Sequence, residues 1–299
     1  MAHKAVFISS AQDACLSPSI MDEARRALAN LNADVGDTNW LAPNVAADLH
    51  FSGPSTDDAK RMVEEVFNTL PVDLGFLPAD SGVKKLLLAD MDSTIISVEC
   101  IDELADFANL KEQVSAITEA AMRGELDFNE ALASRVALLK DMDIAVLEQC
   151  YEERVRYNAG ARILIKTMRA KGAYCALVSG GFTFFTGRVA ETLGFHMHRS
   201  NELGVLSGKL TGTVVPPISN AQTKLDSLNK LLSTKGLKAE QSIAVGDGAN
   251  DIPMLEAAGL SVAYHAKPKA QDVAQVAINH GDLTALLYLQ GIAKSEFEA

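Results

Sequence analysis

The run Leu86-Leu87-Leu88-Ala89-Asp90-Met91-Asp92-Ser93-Thr94 joins four apolar residues to two carboxylates spaced two apart. A strand alternates its side chains with a period of two, so Asp90 and Asp92 leave the end of a buried strand on the same side. Ile95-Ile96 returns to apolar sequence at once. Carboxylates bounded by apolar segments need a partner, and a divalent cation meets that need. Taken alone, the stretch also reads as a strand followed by an Asp-rich turn, because Asp and Ser bond locally to the backbone in turns.

Three further pieces favour chemistry over the turn. Ser242-Ile243-Ala244-Val245 is a second apolar run, ending in the acidic loop Gly246-Asp247-Gly248-Ala249-Asn250-Asp251. Ala176-Leu177-Val178 is a third, ending on Ser179-Gly180-Gly181, and an isolated Lys224 stands in Gln222-Thr223-Lys224. Each has an ordinary reading: a solvated helical lysine, a Ser-Gly-Gly turn, an aspartate capping the helix that Ile252-Pro253 begins. In this order, the four pieces together resemble the haloacid dehalogenase-like phosphatases.

The resemblance implies an α/β fold with a Rossmann-like parallel sheet, helices on both of its faces and a helical cap inserted over the site. It implies Asp90 as a nucleophile that forms an aspartyl-phosphate, and Asp92 as the acid and base that serves the leaving group and then water. Mg²⁺ would be bound by Asp90, the main-chain carbonyl of Asp92 and Asp247, with Asp251 behind them orienting waters or Lys224. Ser179 and the Gly180 amide would donate to phosphate oxygens, Lys224 would supply a point charge, and Asn250 would be a further substrate contact.

Composition sets the outer limits. The chain has 299 residues, 48% of them hydrophobic, which suits one large α/β unit with a smaller appendage. Its formal net charge of −12 argues against nucleic acid and anionic membrane surfaces as partners, so a small anionic substrate must be drawn in by local positive groups. Cys15, Cys100, Cys150 and Cys175 show no Cys-x-x-Cys spacing and read as free thiols of a reducing compartment. No run approaches a membrane span or a signal-peptide core, and a cytoplasmic location is expected. A homodimer is an open expectation on which the sequence is silent.

Residues 1–80 read as βαββαβ. Strands are expected at Lys4 to Ser9, Asp37 to Leu41, Val45 to Phe51 and Val72 to Phe76, with helices from Ser19 to Leu31 and after the N-cap Ser55. That order is a ferredoxin-like α+β arrangement and is similar to the ACT domains of metabolic enzymes. Leu77-Pro78-Ala79-Asp80-Ser81-Gly82 marks a boundary, with the catalytic domain at 83–299. From there, strands at Leu86 to Ala89, Tyr174 to Val178, Ser242 to Val245 and Leu260 to Ala263 alternate with helices, the pattern of a parallel sheet with ligands at the strand C-termini. About 98–157 is a helical cap, and Glu202 to Val215 is a hairpin flap.

The cap carries an acid, Glu99, and a base, Arg135, a pair suited to the ammonium and carboxylate of a zwitterion. Met122 and Phe128 are expected as apolar walls. These residues resemble the branch of the family that hydrolyses O-phospho-L-serine, the last step of serine biosynthesis. Two other readings stand beside it: a phosphatase for another small phosphate ester, and a non-enzymatic amino-acid sensor with an inert phosphatase-like body. Glu, Arg, Met and Phe at such positions are also ordinary helix-surface and core residues.

Overall fold

The computed structural model describes residues 2–122 and 125–299, with the side chain of Met122 also outside the description. Its larger sheet has seven strands, in the order β12-β11-β10-β6-β7-β8-β9. These are β6 (Leu86–Ala89), β7 (Tyr174–Phe182), β8 (Met197–Leu206), β9 (Lys209–Val215), β10 (Ser242–Gly246), β11 (Leu260–Tyr264) and β12 (Val276–Ile278). All neighbours are parallel except β8 and β9. Strand β6 is apolar at every position, and β10 and β11 are buried throughout, because both faces are covered. Leu87, Ala89, Cys175 and Leu177 face one core, while Leu86, Leu88, Ala176 and Val178 face the other. Helices α7 (Ala161–Ala170), α8 (Thr183–Leu193) and α12 (Ala285–Leu289) cover the first face. On the second lie α9 (Ala221–Lys235), α10 (Ile252–Ala257) and α11 (Pro268–Val273).

Between β6 and α7 the chain forms the expected cap, with α3 (Cys100–Phe107), α4 (Lys111–Met122), α5 (Phe128–Ala137) and α6 (Ala145–Arg154). Helix α5 starts where Asp127 and Glu130 form a reciprocal capping box, which satisfies two otherwise orphaned amides. The insertion leaves and re-enters the body at one place. Ile96 bridges Tyr157, Ser97 N donates to Arg156 O, and Asn158 Nδ2 donates to the carbonyls of Thr94 and Ile96.

Residues 3–78 form a second, antiparallel sheet from β1 (His3–Ser9), β2 (Asp34–Val35), β3 (Asn39–Ala42), β4 (Ala46–Ser52) and β5 (Val72–Pro78). Helices α1 (Pro18–Ala29) and α2 (Thr56–Phe67) cover one face, capped by the Ser17 and Ser55 side chains. Phe7, Leu49 and Phe51 pack beneath them. The opposite face is buried too, with Val6, Ile8 and Leu77 sharing a core with Leu286 and Leu289 of the larger unit.

Three elements differ from the sequence expectation. The two-residue β2 carries no periodic signal, and neither does the three-residue β12. The segment Glu202 to Val215 forms the expected hairpin, but β8 begins earlier, at Met197, and its first residues pair in parallel with β7, so the hairpin continues from the main sheet. The polar run His198-Arg199-Ser200-Asn201 conceals that pairing, because it lacks the apolar signal of a buried strand.

Candidate active site

The C-terminal ends of β6, β7 and β10 meet at one edge of the parallel sheet, where side chains beyond the last ladder bond are free to converge. Asp90 leaves β6 with 3% exposure, and its Oδ1 lies 2.6 Å from the Nζ of Lys224, which is fully buried. The same Nζ donates at 2.6 Å to Oδ1 of Asp251. Burial alone would lower the Lys224 pKa, but the Asp251 and Asp90 carboxylates outweigh it and hold the ammonium above its ordinary value. The other Asp251 oxygen accepts from the amides of Asp247 and Gly248, at 3.2 and 3.1 Å. Gly246 is obligatory beside it, since a Cβ there would lie 2.3 Å from the Asp251 carboxyl carbon.

Burial, with Asp251 next to it, pushes the Asp90 carboxyl above the usual carboxylate range against the pull of Lys224. Asp247 is raised to about 6, chiefly by burial and by Asp251. Carboxylate oxygens of Asp90, Asp247 and Asp251 all lie within 4.8 Å of one another. Three carboxylates thus share one buried ammonium, and a further cation, Lys267, stands 3.7 Å from Asp247 with its side chain 71% exposed. The surplus negative charge and the all-oxygen donor set fit a hard divalent cation.

Asp92 lies beside this cluster with a different set of partners. Its Oδ1 accepts from the Cys100 amide at 3.0 Å, at the first turn of α3, and its Oδ2 accepts from Ser179 Oγ at 3.0 Å. Burial, followed by the nearby Glu99 carboxylate, raises its pKa to about 6. Ser179 Oγ in turn accepts from the Gly181 amide at 2.8 Å. A Cβ on Gly181 would lie 2.5 Å from Asp92 Oδ2, so only glycine lets the β7 turn approach this carboxyl.

Glu99 stands immediately before α3 and accepts from Ser93 Oγ at 2.7 Å. Arg135, on α5, is mostly buried. Burial pulls its pKa down, opposed by Asp102 and Glu99 across the cap. Phe128 begins α5 with its ring 3.2 Å from where a Cβ of Gly180 would sit, so cap and phosphate-loop candidate touch through this ring. Asn250 lies in the short turn Ala249–Asp251, half-buried, at the rim of the acidic loop. The Met122 side chain lies outside the described residues. Asp90, Asp92, Ser179, Gly180, Lys224 and Asp247 are therefore gathered at the strand ends, with Glu99, Phe128 and Arg135 contributed by the cap. A cleft of about 610 Å³ lined by Leu147, Phe182, Arg188 and Leu203 holds none of them.

Sequence reasoning missed several supporting residues. Asn201 is fully buried in β8, where its side chain donates to the carbonyls of Gly180 and Ser219 and accepts from the Ser219 amide. Ser219 Oγ donates to the Ser179 carbonyl at 3.0 Å. These bonds hold the Ser179-Gly180 turn from behind. The available signal was a single Asn in the polar run His198-Arg199-Ser200-Asn201, which an ordinary loop also explains.

The sequence pattern of the haloacid dehalogenase-like hydrolases matches residues 87–256, more than half of the chain, and the chain belongs to that family. A phosphoserine phosphatase from Polaromonas sp. strain JS666 is 49% identical over 210 residues, covering 69% of this chain and 89% of that protein. The solved structure of a probable phosphoserine phosphatase from Vibrio cholerae, in unliganded form, has a TM-score of 0.80 at 34% identity. It covers 99% of this chain and 88% of that one, and so includes the antiparallel N-terminal unit. A substrate-bound phosphoserine phosphatase structure has a TM-score of 0.64 at 40% identity, over 69% of this chain and 97% of the other.

Proposed function

We propose that this protein hydrolyses O-phospho-L-serine to L-serine and phosphate through an aspartyl-phosphate on Asp90. The observation that carries the reading is the buried Asp90–Lys224–Asp251 chain beside a second carboxyl, Asp92, held between Ser179 and the start of the cap. In the first step an Asp90 oxygen attacks phosphorus and the bond from phosphorus to the seryl oxygen breaks. The proton on Asp92 passes to that oxygen, so serine leaves as an alcohol rather than an alkoxide. A pKa near 6 keeps a useful fraction of Asp92 protonated at neutral pH. In the second step Asp92 takes a proton from water as the water oxygen attacks phosphorus, and the bond from phosphorus to the Asp90 oxygen breaks, which releases phosphate and restores the Asp90 carboxylate.

Asp90, Asp247 and the Asp92 main-chain carbonyl would hold Mg²⁺, with Asp251 orienting Lys224 behind them. The bound ion would neutralise phosphoryl oxygens and favour the ionised form of Asp90. Lys224 adds a fixed positive charge, and Ser179 with the Gly180 amide offers donors to the same oxygens. Glu99 faces the substrate ammonium and Arg135 the carboxylate, with Phe128 closing the apolar side. The relatives named as phosphoserine phosphatases support the choice of ester, and the preserved set Asp90, Asp92, Lys224 and Asp247 speaks against an inert sensor.

Residues 1–80 we read as an ACT-like domain beside the catalytic unit at 83–299. A cytoplasmic enzyme and a homodimer are part of the same proposal. Among the described residues no helix is long and apolar enough to cross a membrane. The test of the activity is phosphate release from O-phospho-L-serine with Mg²⁺ and with chelator, together with borohydride trapping of the phosphorylated residue. Mg²⁺-dependent release and a label on Asp90 are expected; absence of release from this ester overturns the reading.

A further inference from the structure

The strand β5 of the N-terminal unit carries Asp73, a carboxylate with 4% exposure and no cationic partner among the described residues. It is satisfied instead by backbone. Asn279 N donates to its Oδ1 at 2.7 Å, His280 N to both oxygens at 3.1 Å, and Gly281 N to its Oδ2 at 2.7 Å. Successive amides converging on one carboxylate form an anion nest, and bonds to an ionised acceptor are the stronger kind. The nest follows β12 directly, so an acid from one unit fixes the chain path of the other. Gly281 permits the approach, since a Cβ there would lie 3.2 Å from Asp73 Oδ2.

The carbonyl side of the same segment is fixed from the opposite direction. Gly281 O lies 3.1 Å from Nε2 of His265, and because a carbonyl only accepts, that nitrogen carries the proton. His265 is the residue at which the chain leaves β11. Its φ of +43° puts a side chain in the left-handed region, which needs surrounding contacts to hold it. Its amide donates to Ile278 O at 2.8 Å, immediately before the nest. Two residues on, the Lys267 amide donates to the Asp247 carbonyl at 2.8 Å, and its ammonium is the exposed cation 3.7 Å from the Asp247 carboxylate.

We propose that Asp73 and His265 are positioning residues for the Asp247 loop, gripping residues 279–281 from opposite sides so that the turn after β11 presents Lys267 to Asp247. Neither residue touches substrate. The inference rests on the reading of Asp247 as a metal ligand, and it assigns to the N-terminal unit a share in setting the affinity of that site. A merely structural role would lower stability and leave the affinity of the folded protein for the ion unchanged.

The test uses the full chain and isothermal titration with Mg²⁺ in the absence of substrate, well below the melting temperature, alongside the Mg²⁺ dependence of phosphoserine hydrolysis. Outer hydrogen-bond partners of a metal ligand typically change affinity by about 10–100-fold, and for these more distant residues we expect roughly three- to tenfold. Asp73→Asn and His265→Ala should each weaken Mg²⁺ binding by that factor while kcat at saturating Mg²⁺ stays within about twofold. His265→Gln, which keeps an amide donor, should recover much of the loss. The Asp73→Asn/His265→Ala double variant should be no weaker than the worse single variant, because residues acting in one chain do not add.

Asp247→Asn is the control that separates the two levels of the argument. If it weakens Mg²⁺ binding and the Asp73 and His265 variants leave it unchanged, the positioning inference is overturned and the site reading stands. If Asp247→Asn itself has no effect, the reading on which the inference rests falls, and the inference with it. Should Asp73→Asn fail to fold, the His265 pair decides alone: unchanged affinity in His265→Ala overturns the proposal.

Discussion

Replacing Lys224 with methionine removes the buried cation that Asp90 and Asp251 share and keeps most of the side-chain volume. Two carboxylates, Asp90 and Asp251, each 2.6 Å from its Nζ, are then left facing one another without a counter-charge. Removing one partner of a buried ion pair costs about 3–5 kcal/mol, because the remaining charge stays desolvated. At roughly 2–4 °C per kcal/mol for a domain of 150–250 residues, the melting temperature of the metal-free protein should fall by roughly 6–20 °C. The deficit should depend on pH in a definite sense. Without the lysine, the Asp90 carboxyl, already raised by burial, loses the cation that pulls it down, so its folded-state pKa lies above the unfolded one. The folded variant then binds more protons than the unfolded chain, and its stability improves as pH falls through that raised value. Scanning calorimetry in EDTA at pH 7.5 and pH 5.5, parent against Lys224→Met, gives the comparison. A variant within about 1 kcal/mol of the parent at pH 7.5, or a deficit that widens on acidification, would refute the reasoning.

The parent itself should gain stability in EDTA as pH falls from 7.5 to 5.5. Asp92 and Asp247 are both raised to about 6 from 3.8, so each stabilising contribution is complete below the unfolded value and lost as pH rises through about 6. Thermal melts that stay flat or fall over this window would count against the burial argument, and saturating Mg²⁺ should reduce the slope. Arg135→Ala should cost on the order of 2–5 kcal/mol of transition-state binding for phosphoserine, roughly 30-fold or more in kcat/KM. It should change p-nitrophenyl phosphate hydrolysis little, and equal losses on both substrates would point to the chemistry or the fold instead. A chain beginning at Ser81 leaves the Leu286 and Leu289 face uncovered and the 279–281 amides without their acceptor. It should therefore melt well below the full chain or self-associate, as read by calorimetry and sedimentation. A monomeric truncation with the parental melting temperature would show that the interface contributes little.

Local sequence marked most of the strands and several of the helices of this protein. Leu86 to Ala89 and Ile243 to Val245 are continuous apolar runs because their strands are covered on both faces, and each stops within a residue of the aspartate that needs the sheet edge. Ser55 announced α2 because an N-cap is a bond between near neighbours. Ala5-Val6-Phe7-Ile8 also held a message in its lack of alternation: β1 is buried on both sides, by helices on one and by the larger unit on the other. Other relations had no such local mark. Lys224 looks like any helical lysine until the strand order sets α9 beside both β6 and the Asp251 turn. Asn201 behind Gly180, the Cys100 amide on Asp92 and Asp73 on the 279–281 amides likewise join residues that no periodicity connects. Propensity, capping and alternation act over a few residues of chain, so sequence alone could mark the strongly patterned elements. The partners of each buried charge depend on which distant segments the sheet order brings within 3 Å, and tertiary structure alone decided that.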